Sequence, residues 1–239
     1  MKLTHLTAIA LVASTASIAM PAFADDLDSV RNLSQAEFGL LARDLTAAGS
    51  YKAVSPAEPL GIVGFDIGAE ASATKMDNSD LWRKAGGDSS TVYMPRVHVH
   101  KGLPFGFDIG ASLTMVPGSD IKLIGAELKY AIVSGNVALP AVAIRAAATR
   151  LTGVDQLDMD TRSLELTVSK GFLNVTPYAG VGRVWGDVTP NVANLREVST
   201  SANKVYAGVN FNLGIANLAA EIDRTGSNQT ASIKLGFRL

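Results

Sequence analysis

The chain has 239 residues, 47% of them hydrophobic and 18% charged, with a formal net charge of −1 and no cysteine. A near-neutral balance offers no basic field for nucleic acid. The lack of cysteine excludes a disulfide framework, a thiolate metal site and a cysteine nucleophile. The apolar content excludes a disordered polymer, and the length suits one large domain or two small ones.

Residues 1–24 (MKLTHLTAIALVASTASIAMPAFA) combine Lys2, a short apolar stretch and Ala22-Phe23-Ala24, a small-x-small cleavage pattern. They predict a signal peptide removed before Asp25, and therefore an exported protein. No later segment holds about 18 consecutive apolar residues, so no transmembrane helix is expected. Residues 25–33 are polar. Ser34-Gln35-Ala36-Glu37 is a capping box, and Phe38, Leu41 and Leu45 follow at helical spacing, predicting a helix over 34–48 closed by Gly49. Ser55-Pro56-Ala57-Glu58-Pro59 then interrupts regular structure and delivers the chain to its first strand.

From Leu60 onward the period changes to two. Phe65, Ile67, Ala69 and Ala71 share one face and Asp66, Gly68, Glu70 and Ser72 the other. Similar alternation recurs near 91–101, 105–116, 119–133, 138–151 and 159–172. Near 119–133 a phase slip around Gly125 suggests a bulge. A run over 174–186 is ambiguous in phase because of Gly180-Val181-Gly182. Strong alternation returns over 203–214 and 228–239, on either side of a weak run over 216–224. The reading is ten strands, with eight or twelve left open by the weak run.

Alternation alone does not separate a barrel that hides its apolar face inside from one that shows it to lipid. The connections do. With the N-terminus on the periplasmic side, the odd connections (76–90, 117–119, 152–158, 187–202 and 225–227) include both long polar ones. Every even connection is short (102–104, 134–137, 171–173 and 215–216). Long loops on one side, tight turns on the other and an even strand count are what a membrane barrel needs.

These features resemble small bacterial outer-membrane β-barrel proteins. The resemblance covers the leader, the ten alternating segments and Thr176-Pro177-Tyr178-Ala179-Gly180-Val181-Gly182, which is similar to a strand common in such barrels. Lys234-Leu235-Gly236-Phe237-Arg238-Leu239 is similar to their terminal assembly signal, with Leu rather than Phe as its last residue. The fold class is therefore all-β: residues 1–24 a signal peptide, 25–59 a periplasmic segment with the helix, and 60–239 an antiparallel transmembrane β-barrel, monomeric. The helix is expected as a lid or tether docked beneath the barrel, since in a polar lumen its apolar stripe would be unmatched.

On this register the lumen is lined by Asp66, Glu70, Arg96, His98, His100, Asp108, Glu127, Lys129, Arg145, Glu165, Lys204, Glu221 and Lys234, with Asp223 and Arg238 on the same face. Asp66 and Glu70 can meet Arg96, and Glu127 or Glu165 can meet Arg145, as burial of mixed charge requires. Such a wall suits a plugged structural interior or a narrow water-filled passage. His98-x-His100 puts two imidazoles on one strand face, a spacing open to a transition metal. Packing against the interior carboxylates is the reading preferred, and no metal or cofactor is assigned. No G-x-S-x-G, H-E-x-x-H or phosphate loop is present, and neither mature histidine sits where barrel proteases and lipid A-modifying barrels keep theirs, so no catalytic residue is named.

The expected role is a non-enzymatic outer-membrane protein, structural or passively permeable to small solutes. Its partners would be outer-membrane lipid and lipopolysaccharide, near Trp82, Arg83, Lys84 and Arg196, and the barrel assembly machinery; nucleic acid is not among them. The alternatives are a surface enzyme acting on lipid and a soluble periplasmic β-barrel binding protein.

Overall fold

The computed structural model describes residues 28–87, 89–115 and 121–239; the leader and residues 117–119 lie outside them. Ten strands form one closed antiparallel barrel: β1 (Phe65–Lys75), β2 (Thr91–Gly102), β3 (Phe107–Met115), β4 (Lys122–Val133), β5 (Ala141–Thr152), β6 (Leu157–Ser169), β7 (Val175–Pro190), β8 (Val198–Leu213), β9 (Ala216–Thr225) and β10 (Asn228–Arg238). Each strand pairs with its sequence neighbours, and β1 also pairs with β10, from Asp66 opposite Arg238 to Lys75 opposite Gln229. Closure leaves no unpaired edge. The weak run is a full strand, β9, laddered to β8 and β10. Two helices precede and interrupt the strands, α1 (Gln35–Gly49) and α2 (Ser79–Lys84). Among the described residues, no helix is long and apolar enough to cross a membrane.

The apolar face points outward. Many of its large aliphatic side chains are well exposed, from 40% at Ile144 to 68% at Ile222, while Asp66, Glu70, Arg96, Arg145, Lys204 and Lys234 opposite are buried. Burying one such aliphatic side chain is worth roughly 1.5–3 kcal/mol. A belt of them left in water would forgo on the order of tens of kcal/mol, more than the ~5–15 kcal/mol by which a domain is stable. Eleven-residue strands such as β1, at about 3.3 Å per residue and a tilt of about 40°, reach about 25–28 Å, the height of an outer-membrane apolar band.

The two rims differ. At the end with short turns the outward face carries Phe65, Phe107, Tyr130, Phe211 and Phe237, with Phe105 and Phe172 in the turns; the Phe107 and Tyr130 rings stack at 4.6 Å. Toward the long connections the outward face carries exposed Lys75, Lys122, Arg150, Arg162, Arg183 and Arg224. An aromatic content of 6% looks thin only while it is averaged over both rims.

Two local expectations are corrected. Gly125 pairs in register with Ser112 and Thr149, and the irregularity falls between Ala131 and Val133. The apparent slip arises because Leu123 points inward toward an apolar partner. That partner is α1, the second correction. The helix does not dock beneath the end where β1 begins. It packs inside the opposite mouth, against β6, β7, β8 and β10. Its residues Phe38, Leu41, Ala42, Leu45 and Ala48 join one buried cluster with the inward-facing Val92, Met94, Leu123, Leu151, Leu157, Met159 and Val188. The lumen is therefore not polar throughout: its long-loop third is apolar and matches the helix stripe.

Candidate functional site

Among the described residues, buried titratable side chains gather in the barrel interior, which has two zones. In the apolar zone, Ser34 caps α1, its Oγ accepting from the Glu37 N–H at 3.3 Å while the Glu37 carboxylate accepts from the Ser34 N–H at 2.7 Å. The long connections fold over the helix. Trp82 is buried in the cluster, Lys84 Nζ lies 2.7 Å from Glu37, and the Asn78 N–H donates to Asp44 at 2.7 Å. Gln35 accepts from the Arg196 N–H at 2.8 Å. Trp82 and Lys84 thus hold the helix in place rather than decorating a solvated loop, while Arg83 stays outside and pairs with Asp80.

Below the helix, residues 50–60 descend through the lumen to the short-turn end and the start of β1. An extended chain with no strand beside it must find partners for its peptide groups, and the wall side chains supply them. Lys204 Nζ donates to the Tyr51 carbonyl at 3.3 Å, Arg96 to the Lys52 carbonyl at 3.1 Å, and Lys129 to the carbonyls of Pro56 and Glu58 at 3.3 and 3.0 Å. Arg145 donates to the Ser55 hydroxyl at 3.0 Å. In the other direction the Ala57 N–H reaches Ser169 at 3.1 Å and the Leu60 N–H reaches Asp108 at 3.1 Å. Within this path Val54 is fully buried with φ 43°, a left-handed conformation that a β-branched residue adopts only under outside constraint.

The same cations meet carboxylates: Arg96 with Glu70 at 3.3 Å, Lys129 with Asp108 at 2.8 Å, and Arg145 with Glu127 and Glu165 at 3.0 and 3.5 Å. Lys204 meets Glu165 at 2.9 Å. Asp66 does not meet Arg96; it takes Lys234 at 2.8 Å, Arg238 at 3.3 Å and His98 at 3.2 Å. His100 Nε2 lies 3.0 Å from the Tyr51 hydroxyl and 3.6 Å from Glu127. Glu221 is buried on the same wall.

Sequence reasoning missed Tyr51, Lys52 and Ser55 as interior groups. One signal was available. The wall carries seven carboxylates (Asp66, Glu70, Asp108, Glu127, Glu165, Glu221, Asp223) against six fixed cations (Arg96, Lys129, Arg145, Lys204, Lys234, Arg238). Lys52 supplies the seventh cation, pairing with Asp223 at 3.1 Å with both side chains out of solvent. The unclear phase of β7 also resolves here. Gly180 lies opposite Tyr206, and Gly208 opposite Tyr178. A Cβ on either glycine would overlap the ring facing it, so both tyrosines lie flat along the wall.

No family model matches the chain, and no curated protein matches it. Among solved structures it is similar to the N-terminal β-barrel domain of Pseudomonas aeruginosa OprF, at 12% identity and a TM-score of 0.39, over 75% of this chain and 99% of that one. It is also similar to Ail, the attachment invasion locus protein of Yersinia pestis, at 15% identity and a TM-score of 0.37, over 74% and 97%. The KdgM porin in complex with disordered oligogalacturonate aligns at 8% identity and a TM-score of 0.38, over 72% and 98%. In fold the chain is similar to bacterial outer-membrane β-barrel proteins.

Proposed function

We propose that this chain is a non-enzymatic barrel of the bacterial outer membrane, exported by its leader and closed by its own N-terminal segment. One observation carries the reading: the apolar belt faces outward while residues 50–60 hydrogen-bond their way along an ion-paired interior. The cationic rim toward the long connections suits the phosphates of lipopolysaccharide, and β10 offers the assembly machinery a terminal strand. Permeation of small solutes is the second reading, favoured by a specific feature. The hydrogen bonds of residues 51–60 to the wall run to side chains, not to the strand ladders, so the segment can leave without breaking the barrel.

The test is recovery in the outer-membrane fraction with a band that shifts between unboiled and boiled samples, followed by planar-bilayer recording of the full chain. The closed reading expects no steady conductance. A steady current whose selectivity changes in Arg96→Glu and Arg145→Glu would replace it with the permeation reading. Recovery as a soluble, non-shifting periplasmic protein would overturn both.

A further inference from the structure

One interior cluster is not explained by charge pairing with the threaded segment. Near the short-turn end, ligand atoms of Asp66, His98 and His100 lie within 4.8 Å of one another, all three residues being buried. His98 Nε2 faces Asp66 Oδ1 at 3.2 Å and His100 Nε2 faces Glu127 Oε1 at 3.6 Å. A tetrahedral ion with bonds of about 2.0–2.2 Å holds its donors about 3.4 Å apart, close to the His98–Asp66 spacing of 3.2 Å.

Two further features fit a ligand. Asp66 is held through its other oxygen, Oδ2, by Lys234 and Arg238, which fixes the carboxylate and leaves Oδ1 directed at the imidazole. Space is provided on purpose by sequence: Gly68 lies opposite His98 and Gly110 opposite His100, and a Cβ on Gly110 would overlap the His100 ring.

We propose that Asp66, His98 and His100 form a site for a divalent first-row transition metal inside the barrel, and that its occupation takes His100 Nε2 away from the Tyr51 hydroxyl of the threaded segment. Two imidazoles and one carboxylate are a donor set suited to Zn²⁺ and its neighbours rather than to Ca²⁺ or Mg²⁺. The site couples to the plug because His100 is shared between them.

The test uses the full-length mature chain refolded in detergent, stripped with a chelator and titrated with Zn²⁺ against a chromophoric competitor, with Co²⁺ as a spectroscopic probe. The expected result is one Zn²⁺ per chain and visible Co²⁺ bands of tetrahedral type. His98→Gln and His100→Gln should each weaken binding beyond the about 10–100-fold typical of an outer contact, with the gel shift retained as proof of folding. Tyr51→Phe keeps every ligand and removes the competitor, so it should bind Zn²⁺ more tightly than the parent chain. Absence of stoichiometric binding to the parent chain overturns the site, as does binding that survives His98→Gln. Affinity that does not rise in Tyr51→Phe overturns the coupling to the plug.

Discussion

Lys52→Met tests whether the threaded segment is clamped by charge. Lys52 Nζ lies 3.1 Å from Asp223 and also donates to the Ala47 carbonyl at 3.2 Å and to Ser50 Oγ at 3.1 Å. Methionine keeps the length of the side chain and removes the cation. Asp223 then keeps the hydrogen bond from Thr225 Oγ1 at 3.0 Å. Removing one partner of a buried pair costs about 3–5 kcal/mol, which shifts the release of the segment by roughly 10²–10⁴-fold. The barrel ladders do not involve Lys52, so the gel shift should persist. The assay is tryptic cleavage at Arg43, which is exposed but helical and so is cut only when α1 opens, alongside bilayer conductance. Lys52→Met should be cut far faster and should conduct intermittently. Lys52→Met/Asp223→Asn, which removes both charges, should recover most of the loss. Equal cleavage rates in the parent chain and Lys52→Met would refute the clamp.

Trp82→Ala removes a buried ring that covers α1, and a change of this kind costs about 3–5 kcal/mol; cleavage at Arg43 should quicken with the gel shift intact. Gly208→Val puts a side chain where the Tyr178 ring lies and should lower stability to urea by about 1–3 kcal/mol. Gly39→Ala meets nothing within 4 Å and should stabilise α1 by about 0.5–1 kcal/mol. The hydrogen bond from Lys84 and those from Ser34 hold the Glu37 carboxyl down at about 2. A depressed value contributes in full above the usual carboxylate range and is lost as pH falls through about 2. Trp82 emission should report helix loosening over that fall, and Glu37→Gln should remove the pH step.

The wall was legible because its rule is local. Each strand repeats with period two, so Ile67, Val97 and Leu166 announce the outward face and Glu70, Arg96 and Glu165 the inward one without knowledge of neighbours. The helix was legible for the same reason, through Ser34, Glu37 and the stripe from Phe38. Its location was not. The residues that receive it, Met94, Leu123, Leu151, Met159 and Val188, come from five strands, each contributing one or two apolar residues to a face otherwise polar. On any single strand they read as noise or, around Gly125, as a slip. Residues 50–60 have no period at all, since they follow the lumen rather than a ladder, and Ser55-Pro56-Ala57-Glu58-Pro59 reads as a linker.

The charge count and the backbone count lead to the same conclusion. An empty lumen of this sequence would hold seven carboxylates and six fixed cations at close range, and an unmatched ion there is expensive. An extended peptide placed alone in that space would hold carbonyls and N–H groups without partners, which is expensive too. Together the two deficits cancel: Arg96, Lys129, Arg145 and Lys204 give their spare donors to the carbonyls, and Lys52 gives its charge to Asp223. The segment is therefore part of the interior that the wall was built around, and the helix above it is matched to the apolar third in the same way. A barrel whose interior is completed by its own chain needs no solute to fill it, and that is why the closed reading takes precedence over an open pore.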